Sequence, residues 1–126
     1  MIIDSNVIIY SIRPEYRQLQ AYLLKHSNVL QVSAITRLEV VGFYKLAEEE
    51  KEQFEQFFTT ILILPITDEV ITEAIRLRQQ RKRSLADSLI AATGILYKLP
   101  VLTNNVADFS DIEGLQIIPL SDILNT

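Results

Sequence analysis

The sequence predicts an α/β protein, a parallel sheet with helices on both faces, on three observations. Short apolar runs rich in β-branched residues alternate with stretches of helical periodicity. Several of these runs end at a polar or charged residue, as buried strands do where they leave a sheet. The stretch from Leu85 to Tyr97 is apolar on almost every side, with Ala91, Ala92 and Gly94 permitting close approach, and reads as a buried central helix.

Met1 to Asp4 reads as the first strand, with Asp4 at its carboxyl end, followed by a short turn through Ser5, Asn6 and Val7. Pro14 precedes a helix from about Glu15 to Lys25, in which Tyr16, Leu19, Leu23 and Leu24 share one face. Val29 to Val32 is a second short strand. Helical spacing then runs from Ala34 to Ala47 and again from Glu48 to Thr60, where Phe54, Phe57, Phe58 and Ile61 form a stripe, so the two read as a helical hairpin. Ile61 to Ile66 contains Pro65 and suits an edge strand. A helix starting at Thr67 and Asp68 turns Val70, Ile71, Ala74, Ile75 and Leu77 inward and ends in a basic cluster, which suits the negative end of its dipole. Val101–Leu102 and Gln116 to Ile118 supply the last strands, with a polar loop through Asp108 between them and a short helix at the end.

The 126 residues, 48% hydrophobic and 22% charged, describe one globular domain spanning 1–126. No apolar run reaches the roughly 18 to 20 residues of a membrane span, and the N-terminus has no signal-like pattern, so a cytoplasmic protein with no membrane partner is expected. Cysteine is absent and histidine occurs once, at His26, which reads as a helix end without function. Any metal must therefore sit on oxygen ligands. The net charge of −4 excludes a generally basic nucleic-acid binder. The charge is nonetheless uneven, with Arg76, Arg78, Arg81, Lys82 and Arg83 in one cluster and Glu48, Glu49, Glu50, Glu52 and Glu55 in another.

Four carboxylates fall where chemistry is expected. In an open parallel sheet the active crevice lies beyond the carboxyl ends of the strands, and Asp4 occupies such an end; an N-cap is its simpler role. Glu39 lies among Ile35, Leu38, Val40, Val41 and Phe43, so it is expected to be at best partly solvated. Thr36-x-x-Glu39 fits a capping box, although Ser33 is the better cap and leaves Glu39 too deep for that task. Ser84-x-x-Asp87 is a stronger capping-box match, yet Asp87 opens a helix too apolar to face water. Asp108 sits in a polar loop where carboxylates usually point at solvent. Gathered in one crevice, such charges repel unless a cation is present, and magnesium, which accepts a few carboxylates plus waters, is the natural one, with manganese as an alternative.

These residues resemble the motifs of the PIN-domain nucleases, in particular the short VapC-type toxins of toxin–antitoxin pairs. Asp4-Ser5-Asn6-Val7-Ile8-Ile9-Tyr10 is similar to the N-terminal motif, in which the aspartate binds metal and the next hydroxyl supports the site. Ser33 to Glu39 resembles the second motif, Leu85 to Thr93 the third, and Thr103-Asn104-Asn105-Val106-Ala107-Asp108-Phe109 the fourth. Many members carry an aspartate where this chain has Asn105, so either Asp108 substitutes or Asn105 supplies a neutral ligand. The resemblance implies a doubly wound, three-layer PIN-like fold, a homodimer, magnesium-dependent endonucleolytic cleavage of RNA, and inhibition by a VapB-like antitoxin. Asp4, Glu39, Asp87 and Asp108 are the implied catalytic and metal residues, supported by Ser5, Asn6, Thr103, Asn104 and Asn105.

Arg76, Arg81, Lys82 and Arg83 either steer RNA toward Asp87 or are a solvated helix end. The Phe54, Phe57 and Phe58 stripe is either core or a docking face for antitoxin or a second subunit. Two other functions compete. An aspartate-based phosphoryl-transfer protein also places an acid after its first strand, but Asp4-Ser5-Asn6 lacks the second aspartate such sites use. A catalytically silent domain of the same fold would bind RNA or protein only.

Overall fold

The computed structural model describes residues 1–124 of the chain. Five short strands, β1 (Ile2–Ile3), β2 (Gln31–Ser33), β3 (Leu62–Leu64), β4 (Val101–Thr103) and β5 (Ile117–Pro119), form one sheet in the order β3-β2-β1-β4-β5. Every pairing is parallel. Among the described residues seven α-helices accompany them: α1 (Ser5–Ser11), α2 (Arg17–Lys25), α3 (Ala34–Val41), α4 (Glu48–Phe58), α5 (Asp68–Gln80), α6 (Leu85–Tyr97) and α7 (Leu120–Leu124).

Alternation along the strands builds the two apolar layers, since successive side chains of a strand point to opposite faces. Ile3, Val32 and Leu102 enter one core with Val7, Ile8, Leu19, Leu23, Val40, Phe54 and Phe58. Ile2, Leu64 and Val101 enter the other with Val70, Ala74, Leu77, Leu89, Ile90 and Phe109. The result is the expected three-layer α/β/α sandwich. Chain order reverses between β1 and β4, so the crevice of the topological switch opens between the end of β1 at Asp4 and the end of β4 at Thr103.

The structure departs from the periodicity in four places. The expected turn after Asp4 continues as α1 through Ser11. The helix expected over 34–47 stops at Val41, where Gly42, a poor helix former, is the C-cap and donates its N–H to the Leu38 carbonyl. A loop, 42–47, therefore separates α3 from α4. On α5 only Val70, Ala74 and Leu77 are buried, while Ile71 and Ile75 face outward. Leu24 on α2 is likewise exposed, since Leu19 and Leu23 already fill the contact with the sheet.

Phe54 and Phe58 are core residues and Phe57 packs against that core half-buried, so most of the aromatic stripe is accounted for by packing. The edge position of β3 agrees with the proline that follows it. In α6 the run Ser88 to Gly94 is wholly buried, while Leu85, Leu96 and Tyr97 at its two ends reach solvent.

Candidate active site

Asp4 leaves β1 at the switch point and caps α1. Its Oδ1 accepts the Ser5 backbone N–H at 2.7 Å, and its Oδ2 accepts the Thr103 hydroxyl at 2.8 Å. The cap and the site residue are thus the same side chain. Thr103 in turn accepts the Asn105 N–H at 2.9 Å, so the turn after β4 fixes the hydroxyl that fixes Asp4. Ser5 donates its hydroxyl to Glu39 Oε1 at 2.6 Å, and Thr36 Oγ1 lies 3.3 Å from Ser5 Oγ. With the serine proton committed to Glu39, Thr36 is left to donate. A chain of hydroxyls therefore ties α1 to α3 and β1 to β4.

Glu39 projects from the last turn of α3 and is exposed, against the expectation of partial solvation at best, because Val40 is the α3 residue that turns into the core there. Among the described residues, its bond from Ser5 is the one that orients it. Ser33 is the cap of α3, accepting the Ile35 N–H at 3.3 Å, which removes the capping-box role for Thr36 and Glu39. Ser84 caps α6 by accepting the Asp87 N–H at 3.0 Å. Asp87 is half-buried and lines a cleft of about 370 Å³ with Ser84, Arg81, Lys82, Arg83 and Asp108.

The electrostatics join these groups. Asp4 is only 5% exposed, and its pKa is pushed up to about 6, chiefly by burial and further by the charges of Asp87 and Glu39; the Thr103 and Ser5 hydrogen bonds oppose the rise. Asp87 is raised as well, again first by burial, then by Asp108 and Glu39, with the Ser84 hydrogen bond and Arg81 acting against the shift. Among the described residues none of Asp4, Glu39 and Asp87 forms an ion pair. The described residues also contain no closed cluster of three or more acidic, histidine or cysteine side chains drawn together as a ready-made metal cage. The carboxylates share a field while their hydroxyl partners hold them apart.

Residues 1–115 match the family model described as the PIN domain. The chain belongs to the PIN-domain family. Solved PIN-like structures superpose on nearly all of it. One is a toxin–antitoxin complex from Klebsiella pneumoniae, 28% identical, with TM-score 0.74, covering 93% of this chain and 94% of that one. A DNA-bound VapBC from Salmonella typhimurium gives TM-score 0.81 at 21% identity, covering 94% and 96%. VapBC2 from Rickettsia felis, bound to a promoter DNA fragment, gives 0.80 at 20%, also covering 94% and 96%. A comparison with curated proteins finds no match.

Within this PIN domain the basic cluster divides sharply. The Arg83 side chain is buried, donating from Nε to the Leu77 carbonyl at 2.9 Å and from its two terminal nitrogens to Asp111 at 3.1 and 2.8 Å. It is therefore placed to hold the fold together, which corrects its expected availability to RNA. Arg76 pairs with Glu73 on the surface of α5. Arg81 is partly exposed at the cleft and also grips Asp111, while Lys82 lines the cleft and is exposed. Asn105 contributes its backbone through Thr103, and among the described residues no hydrogen bond draws the side chains of Asn6, Asn104 or Asn105 into the network.

Two participants had no distinctive sequence signal. Thr36 lies buried behind Ser5, legible only as the residue three before Glu39. Asp111 looks like any loop acid until the fold brings two arginines onto it.

Proposed function

We propose that this PIN domain is a VapC-type toxin, a magnesium-dependent endoribonuclease that hydrolyses RNA phosphodiester bonds in the cytoplasm and is silenced by a VapB-like antitoxin. The observation that carries the reading is the electrostatic coupling of Asp4, Glu39 and Asp87, which come from three distant parts of the chain and form no ion pair among the described residues. The donors are hard oxygens only. They fit a cation that keeps several waters and takes one or two carboxylates directly, as magnesium does, and do not fit a closed protein cage. Manganese has the same ligand preference.

Asp4 and Asp87 are assigned as the residues that hold the ion, with Glu39 and Asp108 flanking it and Asn105 available as a neutral ligand. Bound magnesium polarises phosphoryl oxygens, lowers the pKa of a coordinated water and offsets charge on the leaving oxygen. The protein's own part is positional. Thr103 and the Ser5 amide fix both oxygens of Asp4, and the Ser5 hydroxyl turns Glu39 toward the crevice, where it can orient water or hold a proton. Lys82 and Arg81 give the cleft mouth positive charge for an RNA phosphate.

An antitoxin partner is supported by the Klebsiella complex, whose similarity spans nearly the full length of both chains. A homodimer is supported by the apolar residues that the fold leaves outside, Ile71 and Ile75 one turn apart on α5 and Leu38 on α3. The openness of the carboxylate set favours one rival, a silent PIN-fold module that binds RNA or protein without cutting.

The deciding experiment is cleavage of structured and unstructured RNA by wild type and Asp87→Asn, with and without magnesium. Wild-type cleavage should require the metal and the variant should show none. Magnesium should also raise the wild-type melting temperature, stabilising by about 2.7 kcal/mol at a hundredfold excess over Kd, and act less on the variant. Metal-independent cutting, or equal cutting by the variant, removes the catalytic reading.

A further inference from the structure

Asp111 is more than a third exposed, on the loop after β4, yet it receives two complete guanidinium forks. Arg83 meets it at 3.1 and 2.8 Å, and Arg81 at 2.8 Å from Nε and 3.0 Å from Nη2. Paired bidentate contacts fix direction as well as distance, because the planar fork admits one approach to a carboxylate. Each arginine is also anchored elsewhere. Arg83 reaches back to the Leu77 carbonyl on α5 and to Gln80 Oε1 at 3.3 Å. Arg81 Nη2 reaches forward to the carbonyls of Ala107 and Asp108, at 3.4 and 3.3 Å.

These contacts join two segments that share no secondary structure. One is the connector between α5 and α6, which delivers Ser84 and Asp87. The other is the turn at Val106–Asp108, which delivers Asp108. Asp87 and Asp108 line the same cleft, and each is felt electrostatically by the other or by Arg81. Two like charges facing one another tend to part unless something external to the pair holds their backbones.

We propose that Asp111 and Arg81, backed by buried Arg83, form a latch that sets the separation of Asp87 and Asp108 and thereby the affinity of the cleft for a divalent cation. Asp111 is a positioning residue here, acting through Arg81 on the backbone of Asp108. The inference rests on the metal-site assignment above. It also gives the basic cluster a use that the reading of these side chains as RNA contacts does not contain. The depressed pKa of Asp111, held well below the usual carboxylate range by hydrogen bonds from Arg81 and then Arg83, agrees with a carboxylate that stays ionised in the latch throughout the working pH range.

The test measures magnesium binding to the whole chain without RNA, by the magnesium-dependent rise in melting temperature, so that phosphate contacts do not enter. Arg81→Lys keeps the charge and loses the fork, and Asp111→Asn keeps the shape and loses the charge. Both should weaken magnesium binding by about 10-fold, the scale on which groups supporting a metal ligand act. Asp111→Glu should restore most of it. Removing a cation near the site favours metal through electrostatics alone, so Arg81→Gln separates the two effects: a latch predicts weaker binding, a mere charge predicts tighter.

Asp111→Asn leaves a buried arginine short of a partner and is expected to reduce folding; Arg81→Lys and Arg81→Gln leave the Arg83–Asp111 pair intact and decide the matter alone. Wild-type magnesium affinity in both Arg81 variants, with the shift lost in Asp87→Asn, overturns the latch and leaves the metal site standing. An undiminished shift in Asp87→Asn overturns both.

Discussion

Two aspartates, Asp4 at the end of β1 and Asp111 on the loop after β4, have been given opposite surroundings. Asp4, 5% exposed at the end of β1, is met by one amide and one hydroxyl and by no cation, and its pKa rises to about 6. Asp111, on the loop, is met by two arginines and is driven the other way. Burial alone does not decide the contrast, since the more solvated of the two has the greater share of positive charge. A carboxylate that only has to hold segments together is neutralised within the chain. On the proposed function, a carboxylate that is to meet an outside cation is left uncompensated, at a cost in stability that the cation would relieve.

The contrast predicts the shape of the stability curve in chelator. Asp4 has a folded pKa above its unfolded value, so between about pH 4 and pH 6 the native state binds more protons than the unfolded one, and stability falls as pH rises. The shift of about two units corresponds to about 3 kcal/mol as an upper bound. Asp87 acts in the same direction. Asp111 acts in the opposite one, contributing stability that is lost as pH falls below the ordinary carboxylate range. Urea unfolding of wild type and Asp4→Asn at pH 4 and pH 7 checks this, because the variant should lack most of the fall. A fall of equal size in both proteins would remove the asymmetry between the two aspartates. Saturating magnesium at pH 7 should flatten the wild-type curve.

A smaller effect tests the surroundings of Asp111. Arg83→Met removes the donor to the Leu77 carbonyl and one of the two forks on Asp111, and should destabilise by about 2 kcal/mol, the cost of stranding a buried acceptor. Arg81→Met removes a partly exposed fork and should cost less than about 1 kcal/mol, as surface ion pairs do. Denaturant midpoints measured side by side give the order. If Arg81 proved the more costly of the two, the division into a buried strut and an exposed grip would be wrong.

How much of this could be read from the chain follows from the range of the interactions. Asp4, Glu39 and Asp87 were legible because each interrupts an apolar pattern, and local context alone makes such an interruption notable. The alternation of strands and helices was legible for the same reason, and the parallel sheet followed. The exposure of Glu39 was not, because which α3 side chain turns inward is decided by contacts with α1 and α6. The stop of α3 at Val41 was legible in Gly42, a helix-stop signal that the apolar periodicity running on to Ala47 outweighed. Ile71 and Ile75 fit an inward face by spacing, but a sheet face covered by two helices admits only the narrower stripe of Val70, Ala74 and Leu77. Arg83 and Asp111 are 28 residues apart, and nothing local distinguishes a latched arginine from a solvated one.

The smallest effect discriminates most finely within the surroundings of Asp4. Thr103→Val keeps the volume of a wholly buried side chain and removes both its donation to Asp4 Oδ2 and its acceptance from the Asn105 amide. A hydrogen bond to a charged acceptor is worth more than one to a neutral acceptor, about 1.5–3 against 0.5–1.5 kcal/mol. The loss should therefore be larger at pH 7, where Asp4 is mainly ionised, than at pH 4, where it is mainly protonated, by about 1 kcal/mol. The Asn105 bond contributes equally at both and cancels in the difference. A pH-independent loss would mean that Thr103 serves only the turn after β4, and that Asp4 is oriented by its own helix cap alone.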